Sequence, residues 1–218
     1  MNRVNLVSGI IKDLNARKMI EIGAYKGEFA REILSRCSSI EDYVMVDPWQ
    51  PLTDWNKPLN TERISNAQKV AQTNTSQYEA CRMIKAKFIE ATRKGVFQGN
   101  YFDVAYVDGD HTLKGITIDL ICLWPLISEK GVIMGDDLYA DPLHHGFKYE
   151  PTFVFPWVLY FAESVNAQIT LFPNNQYMIE KGTRFSVVDQ SNGKYEDHSV
   201  RGTLTPYRWL KSILKSWL

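Results

Sequence analysis

The segment from residue 101 to residue 137 constrains the fold more than any other part of the sequence. Two short apolar runs, at residues 104–107 and 132–134, each end in acidic residues, and a stretch of helical length separates them. Short buried runs on either side of a helix are typical of a parallel βαβ unit. In open α/β sheets, ligands bind beyond the carboxyl ends of the strands. The pattern therefore places the candidate chemistry at the acids that close the two runs.

The same alternation extends along most of the chain. Strand-like runs at residues 19–22 and 43–46 end in glycine-bearing or acidic turns, and a third strand is expected somewhere within residues 73–89. A helix rich in Phe and Trp at residues 153–165 precedes a hairpin-like pair of runs, 169–172 and 176–179. Alternating strands and helices that close on a hairpin predict an α/β fold with a mostly parallel sheet and one antiparallel strand.

The chain is expected to form one domain, with a distinct carboxyl-terminal part. Residues 1–181 carry the alternating pattern, and residues 49–62, rich in Pro and Trp without a period, are predicted to form a lid or substrate loop. Residues 182–218 are predicted to be a polar extension followed by an amphipathic helix from Thr205. We expect that helix to dock on its own domain or on a second copy in a homo-oligomer, with peripheral contact to a membrane surface as the alternative.

Composition excludes several classes of partner and setting. The 25 basic residues equal the 25 acidic residues, so no overall field of one sign recruits nucleic acid. No apolar run is long enough to span a bilayer. The spacings of Cys37, Cys81 and Cys122 fit neither a metal knuckle nor a disulfide framework, which favours a reducing, cytoplasmic setting.

A glycine-bearing turn follows the first strand and indicates a ligand site. The sequence Glu21-Ile-Gly-Ala-Tyr-Lys-Gly27 lies between a strand and a helix, where backbone N–H groups favour an anionic ligand group. Its glycine spacing differs from the dinucleotide motif. Asp47, followed by Pro48, ends the second strand in a position to accept hydrogen bonds from two ribose hydroxyls. A structural glycine turn and a turn-forming Asp are the alternatives.

Three aspartates are predicted to converge on a cation. Asp108 ends one strand, and Asp136 and Asp137 follow Gly135 at the end of the next. Neighbouring strands lie about 4.8 Å apart, so these carboxylates can share an ion if the chain turns after Gly135. An all-oxygen set without paired histidines suits Mg²⁺. Bound metal lowers the pKa of a coordinated hydroxyl, which activates it as a nucleophile. A solvated acidic loop is the alternative.

Three motifs carry a resemblance to a known family. EIGAYKGEFA, VMVDPW and YVDGDH with the following DLICLWPLISEKGVIMGDD resemble class I S-adenosylmethionine-dependent methyltransferases. The likeness is to small-molecule O-methyltransferases of the macrolide-sugar and catechol types and to related cephalosporin-hydroxylase-like proteins, and it covers residues 19–181. It implies a Rossmann-like three-layer sandwich with a seven-stranded sheet in the order 3-2-1-4-5-7-6, strand seven being antiparallel.

The resemblance also implies where S-adenosylmethionine would bind. The methionine half would lie beside the first turn, the ribose beside the end of the second strand, and the adenine near the third. The residues concerned are Glu21, Gly23, Ala24, Tyr25, Gly27, Asp47, Pro48, Ala91 and Asp108.

The expected activity is magnesium-assisted O-methylation of a small hydroxylated molecule, with a sugar or glycoside favoured over a catechol. His111 stands where catechol-type enzymes carry Lys, and Asp136-Asp137 replaces their Asp-Asn, a change that matches the sugar-type enzymes. His111 is the expected general base because its ordinary pKa is near neutrality, and Asp108 is the alternative base.

Other interpretations stay open. Asp110 could simply cap the following helix. His144 and His145 are assigned to a loop over the pocket, with metal ligation as the alternative. At the level of function, the alternatives are a hydroxylase-like or other non-methylating relative and a non-catalytic cofactor-binding or assembly subunit.

Overall fold

A computed structural model describes residues 2–51, 60–146 and 150–196, together with residues 210, 213 and 214. The helices are α1 (Arg3–Asp13), α2 (Glu28–Arg36), α3 (Thr61–Thr75), α4 (Phe88–Arg93), α5 (Leu113–Leu123) and α6 (Val154–Ser164). The strands are β1 (Lys18–Ile22), β2 (Asp42–Asp47), β3 (Cys81–Lys85), β4 (Phe102–Val107), β5 (Ile127–Gly135), β6 (Gln168–Phe172), β7 (Gln176–Glu180) and β8 (Ser186–Asp189).

The strands form a single sheet in the order β3-β2-β1-β4-β5-β7-β6-β8. The predicted order of seven strands is therefore confirmed, and β7 runs antiparallel to both of its neighbours, β5 and β6. The predicted number was one too low, because β8 pairs in parallel with β6 at the edge. All four residues of β8 are exposed. An edge strand of this kind lacks the apolar alternation by which a half-buried strand is recognised.

Helices cover both faces of the sheet, as the predicted three-layer sandwich requires. Alternate residues of each central strand enter two separate cores, because side chains along a strand point to opposite faces. On one face, Met19 of β1 packs with residues of α1, α2 and α3, including Phe29 and Ile64. On the other face, Ile20 packs with residues of α4, α5 and α6. The central strands are consequently buried on both sides, which is typical of parallel sheets.

The segment predicted to be a polar extension begins with a strand and a docked aromatic residue. Beyond β8, the buried ring of Tyr195 stacks on Phe155 of α6 with centroids 4.8 Å apart. Its hydroxyl donates a hydrogen bond to the carbonyl oxygen of Leu138. Residues up to 196 thus pack against the sheet and α6.

Two predicted features lie largely outside the described residues. Of the lid at residues 49–62, residues 52–59 are not described. Of the helix predicted from Thr205, only Leu210, Ile213 and Leu214 are described, all in helical conformation. Within the described part of the chain, no helix is long and apolar enough to cross a membrane.

The start of α5 places the acidic turn after β4. Thr112 caps this helix, and its hydroxyl accepts a hydrogen bond from the backbone N–H of Gly115. Asp110, the predicted cap, instead accepts one from the backbone N–H of Thr112. Residues 108–111 therefore form a fixed turn between a buried strand and a capped helix, at the carboxyl edge of the sheet.

Candidate active site

A cavity of about 660 Å³ opens at the carboxyl ends of β1, β2, β4 and β5. This volume lies within the range of roughly 300–1,000 Å³ that is usual for small-molecule sites. The cavity extends from the loop after β1, past the ends of β2 and β3, to the acidic turns after β4 and β5. Its lining includes Gly23, Tyr25, Asp47, Pro48, Trp49, Lys87, Phe88, Asp108, His111, Lys114, Asp119, Asp136 and Asp137.

The loop after β1 approaches the end of β4 more closely than a side chain would allow. Gly23 has φ of +90°, and a Cβ atom there would lie 2.2 Å from the carbonyl oxygen of Asp108. Only glycine fits such a contact. The missing side chain therefore allows the loop to pack against the backbone of Asp108, and Gly23 itself lines the cavity. Gly27, also with positive φ, then begins α2.

Asp47 links the two loops on this side of the cavity. Its carboxylate accepts hydrogen bonds from the backbone N–H of Tyr25 at 2.9 Å and of Trp49 at 2.8 Å. The indole of Trp49 donates to the carbonyl oxygen of Tyr25 at 2.7 Å. Tyr25 and Trp49 both have positive φ, 45° and 38°, a strained conformation that clusters at functional sites. Each carboxylate oxygen offers two lone pairs, so Asp47 can still accept a hydrogen bond from a ligand.

Four of the predicted cofactor residues do not line the cavity: Glu21, Ala24, Gly27 and Ala91. Glu21 is only 2% exposed and accepts a hydrogen bond from the Tyr43 hydroxyl at 2.8 Å. Burial raises the pKa of Glu21 to about 8, so its carboxyl group is protonated at neutral pH. Ala24 is buried below the glycine loop, and Ala91 is buried within α4. The wall beside the end of β3 is formed by residues 86–89.

Arg3 joins two of the three predicted metal ligands. Its Nη1 atom donates to Asp108 Oδ2 and to Asp136 Oδ2, each at 2.9 Å. The guanidinium also lies over the ring of Phe29, 5.4 Å from its centroid. The sequence analysis did not assign Arg3 to the site. A single basic residue at the start of an amphipathic helix carries no motif, and its partners are more than 100 positions away along the chain.

Asp137 faces two histidines and not the other aspartates. The chain turns at Asp137, which has φ of +56°, so the turn predicted after Gly135 is present. Asp137 Oδ2 lies 2.8 Å from His111 Nδ1 and 3.2 Å from His145 Nε2. The three aspartates thus meet at one edge of the sheet, but Asp108 and Asp136 pair with Arg3, whereas Asp137 pairs with the two histidines.

Asp108 lies between Arg3 on one side and His111 on the other. Its Oδ2 atom contacts Arg3, while its Oδ1 atom lies 3.6 Å from His111 Nε2. Burial, together with repulsion from Asp136 and Asp137, raises the pKa of Asp108 to about 6, although His111 and Arg3 oppose the rise. The side chain of Asp108 is 28% exposed, against 7% for His111. Asp108 is therefore the more accessible of the two candidate bases.

The magnesium ion expected from the three aspartates does not fit this arrangement. Mg²⁺ requires close to octahedral oxygen ligands at about 2.0–2.1 Å. A guanidinium group lies between the carboxylates of Asp108 and Asp136, and the third carboxylate is directed to imidazole nitrogens. The three aspartates as arranged do not form an all-oxygen cage.

Asp119 is a further acid that the sequence analysis did not assign. It lies on α5, lines the cavity and is buried. Burial, and to a lesser extent the charge of Asp110, raises its pKa to about 7, against an opposing effect of His111. Its signal in the sequence is one acid within the otherwise apolar run ITIDLICL.

Comparison with known proteins identifies the family. Residues 20–138 match the family model described as "Methyltransferase domain", which covers more than half of the chain. The chain belongs to this family. The resemblance inferred from the motifs is thereby confirmed at the level of a methyltransferase. No curated protein matches the chain significantly.

Solved methyltransferase structures share the fold of this methyltransferase-family chain at low sequence identity. An O-methyltransferase from Bacillus cereus, in complex with S-adenosylhomocysteine, has a TM-score of 0.59 at 12% identity and covers 82% of this chain and 80% of its own. The O-methyltransferase TomG from Streptomyces achromogenes has a TM-score of 0.58 at 12% identity and covers 83% of this chain and 79% of its own. A methyltransferase from Podospora anserina has a TM-score of 0.55 at 17% identity and covers 81% of this chain and 76% of its own.

Proposed function

We propose that this protein is an S-adenosylmethionine-dependent O-methyltransferase that acts on a hydroxyl group of a small molecule. The observation that carries the proposal is one continuous cavity that runs from Asp47, past the Gly23 loop, to the Asp108–His111 pair. A cofactor and an acceptor can therefore lie end to end within it. Membership of the methyltransferase family supports the same conclusion.

The proposed cofactor fits the first end of the cavity. Gly23 lines the cavity, and its close approach to Asp108 holds the loop after β1 against the end of β4, beside the space proposed for the cofactor. The remaining lone pairs of Asp47 can accept the two ribose hydroxyls, and Phe88 offers an apolar contact for the adenine. Among the residues predicted from the sequence, we assign contact to Gly23, Tyr25, Asp47 and Pro48. Asp108, also predicted for the cofactor, lines the part of the cavity assigned to the acceptor. Glu21, Ala24, Gly27 and Ala91 support the cofactor contacts from behind.

Asp108 is proposed as the residue that accepts the proton of the acceptor hydroxyl. A bound S-adenosylmethionine supplies an electrophilic methyl group whose bond to sulfur breaks as the acceptor oxygen attacks in line. Asp108, with a pKa of about 6, is mostly ionised at neutral pH, and each of its oxygens keeps a lone pair for the hydroxyl. Arg3 donates a hydrogen bond to Asp108 Oδ2 and so holds the carboxylate in place, and His111 Nε2 lies 3.6 Å from the other oxygen. Much of the acceleration then comes from orientation.

The polar lining of the acceptor end favours a hydroxylated substrate. Asp108, Asp110, Lys114 and Asp119 all line this part of the cavity. Several hydrogen-bonding groups suit a molecule with more than one hydroxyl, because buried polar groups need partners. This supports a sugar or glycoside as the acceptor class. Magnesium assistance is not included in the proposal, because two of the expected ligands bind Arg3.

The organisation of the chain outside the site is proposed on sequence grounds. We propose that residues 1–181, together with β8 and Tyr195, which pack on them, form the catalytic domain and that residues 49–62 form a lid that helps to select the acceptor. The cytoplasmic setting, and contact with a second copy or a membrane surface through residues 205–218, stay predictions.

Transfer of a labelled methyl group tests the proposed function. The purified protein is incubated with methyl-labelled S-adenosylmethionine and panels of sugars, glycosides and phenols, and the label is followed by mass spectrometry. We expect label in an acceptor with the wild type, and loss of that product with Asp108→Asn while cofactor affinity is retained. The exposed change Glu163→Gln serves as the control. Cofactor binding without transfer to any acceptor would favour a non-methylating relative.

A further inference from the structure

Three potential metal-binding atoms meet beside the cavity, in a set that the sequence analysis did not predict. They are His111 Nδ1, Asp137 Oδ2 and His145 Nε2, and all lie within 4.8 Å of one another. His111 precedes α5, Asp137 follows β5, and His145 belongs to the segment between β5 and α6. Three separate parts of the chain therefore bring these atoms together.

The ligand types favour a transition-metal ion over magnesium. Imidazole suits Zn²⁺, Fe²⁺, Ni²⁺ and Cu²⁺, whereas magnesium and calcium prefer oxygen ligands. Two histidines and one carboxylate leave coordination positions open, which is usual in catalytic sites. Tetrahedral ligands at about 2.0–2.1 Å from zinc lie about 3.3 Å from one another. The separation of Asp137 Oδ2 from His145 Nε2, 3.2 Å, is close to that value, and its separation from His111 Nδ1, 2.8 Å, is about 0.5 Å shorter.

The surroundings of the three ligands are also those of a metal site. Metal-binding histidines usually direct their second ring nitrogen to a carboxylate. The corresponding atom of His111, Nε2, lies 3.6 Å from Asp108 Oδ1, which is close to that carboxylate but beyond the length of a hydrogen bond. The buried backbone of His111 is held by Phe153, whose N–H donates to the His111 carbonyl oxygen at 3.1 Å. On the other side, the ring of His145 lies against that of His144, with centroids 3.7 Å apart.

The local charges favour a divalent cation at the same place. Asp108, Asp136 and Asp137 carry three negative charges when ionised, and Arg3 neutralises one of them. A divalent ion at Asp137 would balance the other two without displacing Arg3 from Asp108 and Asp136.

We propose that His111, Asp137 and His145 bind a divalent transition-metal ion of the zinc type. The site does not depend on the proposed methyl transfer, since its ligands are defined by geometry alone. Its position next to Asp108 would bring the ion close to the acceptor hydroxyl. The magnesium site expected from three aspartates is thus replaced by a histidine-containing site that shares only Asp137 with it.

Cobalt binding tests this site without reference to catalysis. The full-length protein is freed of metal with a chelator and titrated with Co²⁺, which is followed by its visible d–d absorption, and with Zn²⁺, which is followed by calorimetry. We expect one equivalent to bind, with a low-symmetry cobalt spectrum, and a large excess of Mg²⁺ not to compete. The change His145→Gln should weaken binding by about tenfold or more, since even outer-shell changes cost 10- to 100-fold.

An exposed residue and a neighbouring one supply controls. Glu163→Gln, an exposed position on α6 outside the ligand set, should leave the metal affinity unchanged, whereas His144→Gln reports how far the ring packed on His145 supports its position. If His145→Gln folds poorly, Asp137→Asn provides a second ligand variant, which keeps the size and shape of the side chain.

Three results would overturn the proposal. The first is no saturable binding of either ion, which would leave a hydrogen-bonded cluster only. The second is equal affinity in wild type, His145→Gln and Asp137→Asn. The third is a loss on Asp136→Asn with none on His145→Gln, which would favour the aspartate site. Calorimetry with S-adenosylmethionine on metal-free protein separates these results from a failure of the proposed function.

Discussion

The buried carboxyl group of Glu21 should make stability depend on pH in a way that one substitution removes. Burial raises the pKa of Glu21 from an ordinary 4.5 to about 8, while the hydrogen bond from Tyr43 opposes the rise. The folded protein therefore holds a proton that the unfolded chain releases above pH 4.5. A group whose pKa is raised on folding contributes its full stabilisation when the pH is below the pKa of the unfolded chain. This contribution is lost as the pH rises towards the pKa of the folded protein.

The size of the effect follows from the two pKa values. Each pH unit between them corresponds to about 1.4 kcal/mol, so the contribution lost between pH 4.5 and about 8 is at most about 5 kcal/mol. Glu21→Gln keeps the size and an acceptor for Tyr43 but does not titrate. The free energy of unfolding of this variant, relative to wild type, should rise by about 1.4 kcal/mol per pH unit across this window.

Urea unfolding at several pH values between about 5 and 8 measures the difference directly. The exposed control Glu163→Gln should stay parallel to wild type throughout. If the Glu21→Gln and wild-type curves were also parallel, the carboxyl group would not be protonated in the folded protein. The structural role assigned to it behind the glycine loop would then be refuted.

Three further changes test the site. Asp47→Ala removes the acceptor shared by Tyr25 and Trp49. Because a hydrogen bond to a charged group contributes roughly 1.5–3 kcal/mol, this change should weaken S-adenosylmethionine binding about tenfold or more. An unchanged affinity, measured by calorimetry, would argue against the assignment of Asp47 to the ribose. Asp108→Asn should lower kcat by about 10²- to 10⁴-fold with the cofactor affinity kept, and the wild-type rate should rise through about pH 6. Arg3→Gln removes a charge that lowers the pKa of Asp108, so the midpoint of the pH–rate profile should move upward; an unmoved midpoint would contradict the pairing.

The interior of the sheet could be predicted because its pattern is local. Each central strand is a short apolar run that ends at a glycine or an acid, so the ends of β1, β2, β4 and β5 are visible in the sequence. The strands at the two edges of the sheet were harder to predict. In β3, Arg82 and Lys85 are exposed and break the run, and β8 is exposed throughout. Edge strands bury too little to carry a strong apolar pattern.

The convergence of the site could be predicted, but its pairing could not. The strand ends placed Asp108, Asp136 and Asp137 at one edge of the sheet, as the structure has them. The partners of each carboxylate depend on Arg3 and His145, which come from distant segments with no motif of their own. Strand-end geometry brings charged groups together, whereas long-range packing determines which of them pair.

The most direct test of the central claim is a crystal structure of the protein with S-adenosylhomocysteine. The account predicts a nucleoside in the cavity, with both ribose hydroxyls within hydrogen-bonding distance of Asp47 and the sulfur directed towards Asp108. A ligand bound elsewhere, or a ribose that makes no contact with Asp47, would contradict it.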